Sequence, residues 1–437
     1  MKINTNIILL ISAVLFVLSC KEEQKTDELM QPQKNISAKE ILGNPKYLAI
    51  SYGGYRNNTR KIQPTIIELK EDMKILAAMG IKILRTYNVH FSHTSNILKA
   101  IDELKTEDTD FEMYVMLGTW IEAKNSYSDS PNRIRNQDGV RYIPQIGRMN
   151  GNKIEIETAI ELTIQYPEIV KIIAVGNEAM VHWASEYYVE PSVILKWVNH
   201  LQNLKKKGEL PKELWITSSD NFASWGGGDK VYHTEDLVRL IKAVDYISMH
   251  TYAYHDTHYS PAYWVNDTVV HETDLHKIEA AMLRAKKYAI SQFQGIKSYI
   301  DSLKINKPIH VGESGWASIS NDLYGKEGSK ATDEYKAALY YKHIRDWTNE
   351  TGMSCFFFEA FDENWKDAQN PLGSENHFGL FTIDGKAKYV LWDLVDQGVF
   401  DGLNRNGNPI TKTYNGNIEE LMKDVLVPDT EVEVINN

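Results

Sequence analysis

From residue 45 onward the chain alternates short, near-continuous apolar runs with longer stretches whose apolar residues recur at three-and-four spacing. The first pattern belongs to strands buried on both faces, the second to amphipathic helices. Eight apolar runs stand out: "KYLAISY" (46–52), "KILRTY" (82–87), "MYVMLGTW" (113–120), "VKIIAVG" (170–176), "LWITSS" (214–219), "VDYISMHT" (244–251), "KPIHVG" (307–312) and "MSCFFFEA" (353–360). Between them lie helical stretches such as "PTIIELKEDMKILAAMG" (64–80), with Pro near its start and Gly at its end, and "LHKIEAAMLRAKKYAISQFQGIKSYIDSL" (275–303). This alternation predicts an α/β fold, and eight rounds of it predict a single (β/α)8 TIM barrel over residues 45–415. Residues 416–437, ending "DTEVEVINN", are expected to form a loosely attached tail.

In such a barrel, active-site residues sit at the C-terminal ends of the strands. The seventh run stops at Gly-Glu-Ser-Gly in "IHVGESGWAS" (309–318), which aims Glu313 at the barrel mouth. The fourth ends in Gly-Asn-Glu in "IIAVGNEAMVHW" (172–183), which brings Glu178 to the same rim. Two carboxylates facing one cleft are the apparatus of glycoside hydrolysis: one protonates the leaving oxygen while the other attacks or supports the sugar carbon. A retaining enzyme holds them about 5 Å apart. Asn177, just before Glu178, is in position to hold the 2-hydroxyl of the sugar. The connections 253–275 and 319–331 are long, and the aromatic first one is a natural wall for a binding groove.

With 437 residues, 43% hydrophobic and 24% charged, the chain can bury a sizeable core. A formal charge of −11 argues against nucleic acid as a partner, and the densest basic spot, "NLKKKGEL" (203–210), reads as a helix end. The aromatic share of 11%, with 10 Trp and 24 Tyr, suits a partner with flat apolar faces, as sugar rings have. Only Cys20 and Cys355 occur, so no disulfide framework holds the fold. Residues 1–20 combine a basic start with a short apolar stretch and read as a secretory signal. Its ending, "LFVLSC", resembles a bacterial lipoprotein signal, with Cys20 lipidated and the membrane reached through that lipid. Residues 21–44 are expected to be a flexible tether, and "CKEE" is similar to the acidic signal that sorts lipoproteins to the outer face of Gram-negative cells.

Several segments together resemble one family. "AVGNEAM" around Glu178, "VGESGWAS" around Glu313, "FFFEAFDENWK" (356–366) and "ENHFGLF" (375–381) look like glycoside hydrolase family 17, the β-1,3-glucanases. "ISYGGYRNN" (50–58), which holds Tyr52, looks like the family's first strand and turn, and "ILRTYNV" (83–89) like its second. "MHTYAY" (249–254) is similar to its sixth-strand segment. The resemblance implies a retaining β-glucanase acting on laminarin-type β-1,3-glucan without a cofactor, with Glu178 as acid/base and Glu313 as nucleophile. The acid is then expected to hold its proton at rest and the nucleophile to stay ionised beside donors. Arg85 and Tyr252, at the ends of the second and sixth strands, are candidates for those donors. Glu363 and Lys366 are carried over as substrate-site residues on the family motif, with Tyr52 and His250 as further substrate contacts. Trp316, Trp365, Trp183, Trp120 and Trp264 are candidates to stack glucose rings, against the alternative that each lies in the core. The chain is expected to be a monomer.

Other readings compete. His250, His255, Asp256 and His258 form a histidine-rich run that zinc would favour, but the spacing does not gather them on one face, and no metal is expected. A glucan-binding lipoprotein without catalysis would have no need of both carboxylates. Transfer of the glycosyl group to another sugar shares its first step with hydrolysis and is not separated from it by sequence. The long segment 253–306 leaves the choice between an open groove and a closed pocket undecided.

Overall fold

Eight parallel strands close into a barrel in chain order: β1 (Leu48–Ser51), β2 (Ile81–Arg85), β3 (Tyr114–Thr119), β4 (Val170–Asn177), β5 (Trp215–Asn221), β6 (Ile247–His250), β7 (Ile309–Gly315) and β8 (Cys355–Phe358). Each is followed by a helix: α1 (Ile66–Ala78), α2 (Ser92–Glu107), α3 (Asn152–Gln165), α4 (Pro191–Lys207), α5 (Glu235–Ala243), α6 (Asp274–Ser302), α7 (Glu334–Glu350) and the short α8 (Trp392–Asp396). The computed structural model describes residues 36–127, 133–143, 148–265 and 273–429. The signal segment 1–20 with Cys20, residues 21–35 of the tether and the last residues of the tail lie outside these. No helix among the described residues is long and apolar enough to cross a membrane.

Local signals set the helix ends. At α1 the Thr65 hydroxyl accepts from Glu68 N while Glu68 Oε2 accepts from Thr65 N at 2.8 Å, a capping box that starts the helix just after Pro64. α4 begins on Pro191, ends with Lys205, Lys206 and Lys207 in its last turn, and stops at the left-handed Gly208. The basic run is therefore a helix end, where cations face the negative pole of the helix dipole.

Residues 36–43, read from sequence as the end of the tether, are not tether but belong to the fold: a short helix, Ala38–Ile41, capped by Ser37 and Glu40, buries Ala38, Ile41 and Leu42. They pack on the lowest interior layer of the barrel, formed by Ala49, Ile83, Met116, Ile172, Ala174, Tyr246 and Phe356. The plug covers this layer and keeps water off it.

The tail is also attached over most of its described length. Helix Ile418–Lys423 is capped by Asn417, and buried Lys336 donates to the Leu426 carbonyl while Leu426 N donates to Asp333 at 3.1 Å. Further back, Arg405 and Arg56 converge on the buried Asp72 carboxylate at 2.8 and 2.7 Å, and the Tyr52 hydroxyl donates to it at 2.9 Å. This fully paired charge ties the 404–409 hairpin to α1.

Candidate active site

Glu313 lies near the end of β7 and is buried. Gly312 before it has no side chain because Ser248 Oγ and Ser219 Oγ would lie 2.2 and 2.5 Å from a Cβ there. Arg85 Nη1, from the end of β2, donates to Glu313 Oε1, and the Tyr252 hydroxyl donates to Oε2 at 2.7 Å. Burial alone would raise the pKa of this carboxyl. His250 and the Arg85 guanidinium, with hydrogen bonds from Arg85 and Tyr252, outweigh burial and bring it down to about 2. Glu313 is therefore an anion at any ordinary pH.

Glu178 follows β4 on a tight turn. Gly176 has φ 86° and Glu178 itself φ 45°, the left-handed region that side chains other than glycine rarely adopt. The turn lifts Glu178 out of the strand direction, and its carboxylate meets His250 Nδ1 at 3.0 Å. The other ring nitrogen, Nε2, faces Ser219 Oγ at 2.7 Å and stands 3.7 Å from Glu313 Oε1. One imidazole thus spans the gap between the two carboxylates. Asn177 Oδ1 accepts from Arg85 Nη2 at 2.6 Å. Because a guanidinium only donates, this contact fixes the amide orientation and leaves the Asn177 NH2 group without an acceptor among the described residues.

Above these groups opens a cleft of about 840 Å³, lined by Glu178, Glu313, Tyr252, Trp183, Tyr187, Asn221, Phe222, His255, Asp256, Tyr259, Gln292, Tyr324, Phe358, Glu375 and Phe378. Trp183 and Tyr259, 63% and 65% exposed, offer flat faces at its rim. Gln292 comes from the long α6, so the segment between β6 and β7 does wall the cleft.

Several candidate residues do not line the cleft itself. His250 is fully buried beneath the carboxylates and spends both ring nitrogens on protein groups, so it supports the site from below instead of touching sugar. Tyr52 is buried with its hydroxyl on Asp72. Trp316 and Trp264 are core residues whose indole N–H groups bond the carbonyls of Ala331 and Ser329. Trp120, half-buried, packs against the cleft-lining Tyr187 at 5.1 Å and does not itself line the cleft. Trp365 donates to Glu363 Oε2 at 2.9 Å and carries Arg60 over its ring at 4.2 Å. Lys366 lies 3.9 Å over the Phe358 ring, donates to Glu359 at 2.6 Å and stands 3.5 Å from Glu363. The histidine-rich run is dispersed: His255 pairs with Tyr324 and Asp256 accepts from Gln292, and among the described residues no three potential ligands converge on a metal site.

Three carboxyl groups at the site were not singled out from sequence. Glu359 and Glu375 lie inside the two C-terminal motifs. Burial pushes both upward in pKa against the pull of Lys366, and Glu359 Oε1 has no partner among the described residues. Asp220, at the end of β5, is fully buried. Burial, opposed by the Met180 N–H and reinforced by the Glu178 charge, pushes its carboxyl up to about 7. An acidic residue at the end of a barrel strand was the signal available for it.

The profile of the BtgE/BtgC glycoside hydrolase domain matches residues 49–379, from the first strand to beyond the eighth. The chain belongs to this family. Among solved structures it is similar to an endo-laminarinase from Formosa Hel1_33_131, at 64% identity and a TM-score of 0.87, covering 91% of this chain and 98% of that one. A likeness of fold alone links it to an active-site mutant of Rhizomucor miehei beta-1,3-glucanosyltransferase in complex with laminaritriose. There the identity is 17% and the TM-score 0.52, over 79% of this chain and 96% of the other. A probable glucan endo-1,3-beta-glucosidase, btgC, of Aspergillus flavus is 24% identical over 339 residues, which are 75% of this chain. The match spans only 40% of that fungal protein's length.

Proposed function

We propose that this member of the BtgE/BtgC family is a retaining hydrolase of laminarin-type β-1,3-glucan, of the glycoside hydrolase family 17 type, cutting within the chain. The observation that carries the reading is the pair of carboxylates at one imidazole: Glu313, ionised and gripped by Arg85 and Tyr252, and Glu178, on its turn above His250. The choice of substrate and of internal cutting is supported by the name of the Formosa relative, at 64% identity.

Glu313 attacks the anomeric carbon while Glu178 gives its proton to the glycosidic oxygen, so that the leaving glucan departs with a new hydroxyl. Glu178, now a carboxylate, takes a proton from the incoming water, which breaks the glycosyl ester and frees Glu313. Arg85 spans both steps, holding Glu313 with one nitrogen and orienting Asn177 toward the 2-hydroxyl with the other.

The test is chromatographic analysis of products from linear β-1,3-gluco-oligosaccharides, beside Glu313→Gln. Wild type is expected to give shorter glucans of several lengths, and Glu313→Gln to lose about four orders of magnitude in kcat, the scale on which a nucleophile is missed. Products longer than the substrate would assign transfer instead, and an unaffected Glu313→Gln would refute the nucleophile. We propose further that the protein is exported and held in the outer membrane by a lipid on Cys20. The apolar run ending in "LFVLSC" supports this, and mass spectrometry of the mature N-terminus tests it.

A further inference from the structure

We propose that Asp220 is a positioning residue that aims the proton of Glu178 at the leaving oxygen, an inference resting on the acid role proposed for Glu178. Glu178 sits in a left-handed conformation that costs free energy and persists only where neighbours over-determine it. Two neighbours do so, both from β5: the Ser219 carbonyl accepts from Glu178 N at 3.0 Å, and Asp220 Oδ2 accepts from Met180 N at 2.8 Å. The turn Glu178–Ala179–Met180 is thereby clamped at both ends to one strand. The Val189 N–H closes the middle by donating to the Ala179 carbonyl at 2.8 Å. Asp220 Oδ1 accepts from Asn221 N at 2.9 Å, which fixes the carboxylate in turn.

A fully buried acid is a costly way to hold two backbone N–H groups, unless the position of what it holds matters. Asp220 touches neither the cleft nor Glu313. Besides the through-space effect between its charge and those of Glu178 and His250, its route to the reaction is the turn, and displacement of a catalytic group by about 1 Å costs on the order of a hundredfold. An Asn side chain can keep its oxygen for Met180 N, at the cost of turning its NH2 group toward the Asn221 N–H that Oδ1 now accepts, so it restores the clamp on the turn only in part.

Protonation of the leaving group is what a misaimed Glu178 would lose, so substrates must be chosen by how much they need it. kcat/KM is measured for wild type, Asp220→Ala and Asp220→Asn on a β-1,3-gluco-oligosaccharide and on a β-laminaribioside of 2,4-dinitrophenol, which departs without a proton. kcat/KM reports steps only up to the first bond cleavage, so the later duty of Glu178 as base does not enter. Asp220→Ala is expected to lose about 10- to 100-fold on the oligosaccharide but less than about threefold on the aryl substrate, and Asp220→Asn, which keeps the Met180 contact, to recover part of the loss. Equal losses on both substrates, no loss on either, or an Asp220→Asn no better than Asp220→Ala would overturn the proposal. A thermal melt of each variant separates unfolding from misaiming. Glu178→Ala is run alongside: if it shows no such leaving-group dependence, the acid assignment falls and the role of Asp220 with it. If it does while Asp220→Ala does not, only the positioning role falls.

Discussion

At the scale of single residues the site is an exercise in keeping one carboxylate charged. Glu313 is buried, which disfavours its anion, yet Arg85 and Tyr252 occupy both of its oxygens with donors. Removing a donor to a charged acceptor costs about 1.5–3 kcal/mol, so Tyr252→Phe is expected to lower kcat/KM by about one to two orders of magnitude. The sign of its pH effect follows. Activity requires ionised Glu313, and a lost donor raises its pKa from about 2 towards the ordinary 4.5, so the acid limb of the kcat/KM profile moves to higher pH. A profile lowered uniformly, with its acid limb in place, would show that Tyr252 does not support the charge. The rule that barrel chemistry gathers at strand ends was enough to bring Arg85, Asn177, Glu178, Tyr252 and Glu313 together from sequence. Depth was not legible. His250 and Tyr252 stand two apart, but β6 ends at His250, which stays beneath the carboxylates, while Tyr252 lies beyond the strand and reaches Glu313. For Trp316 and Tyr52 the deciding fact is a partner far along the chain, Ala331 or Asp72, which no local pattern announces.

At the scale of elements the alternation of apolar runs and amphipathic stretches marked every barrel strand to within a few residues, because burial on both faces leaves few polar positions to mislead the eye. What it did not show is how β4 ends. The pairing of β4 with β5 shifts register between Ala174 and Asn177, and within that irregularity Gly176 adopts φ 86°. A Cβ on Gly176 would meet Ile194 Cδ1 at 3.0 Å and the Ala179 Cβ at 3.1 Å. Gly176→Ala therefore combines backbone strain with a tight contact on the very turn that carries Glu178. Its stability cost is expected to be about 1 kcal/mol, readable by denaturant titration. The loss of kcat/KM on oligosaccharides is expected to be far larger than such a change could produce through unfolding. Activity that falls only in proportion to the folded fraction would mean that the turn tolerates a different path.

Across the whole molecule the barrel interior divides into an apolar floor and a polar mouth, and the floor is where the sequence reading stopped short. Residues 36–43 follow a polar stretch and are too few to display a helical period, so they read as tether; the Ser37–Glu40 capping box and three apolar side chains were the signals to weigh instead. The plug residues Ala38, Ile41 and Leu42 pack on apolar side chains, and none of the groups assigned to the chemistry belongs to that cluster. This separation makes a clean prediction. Ile41 is fully buried against that layer, and Ile41→Ala leaves a cavity that should cost about 2–5 kcal/mol. The thermal midpoint should drop, while kcat/KM at 25 °C, where the variant is still folded, should stay at the wild-type value. A flexible tether at this position would leave both quantities unchanged, and a plug coupled to the mouth would change both, so only stability loss with intact catalysis fits a floor that seals the barrel without steering the reaction.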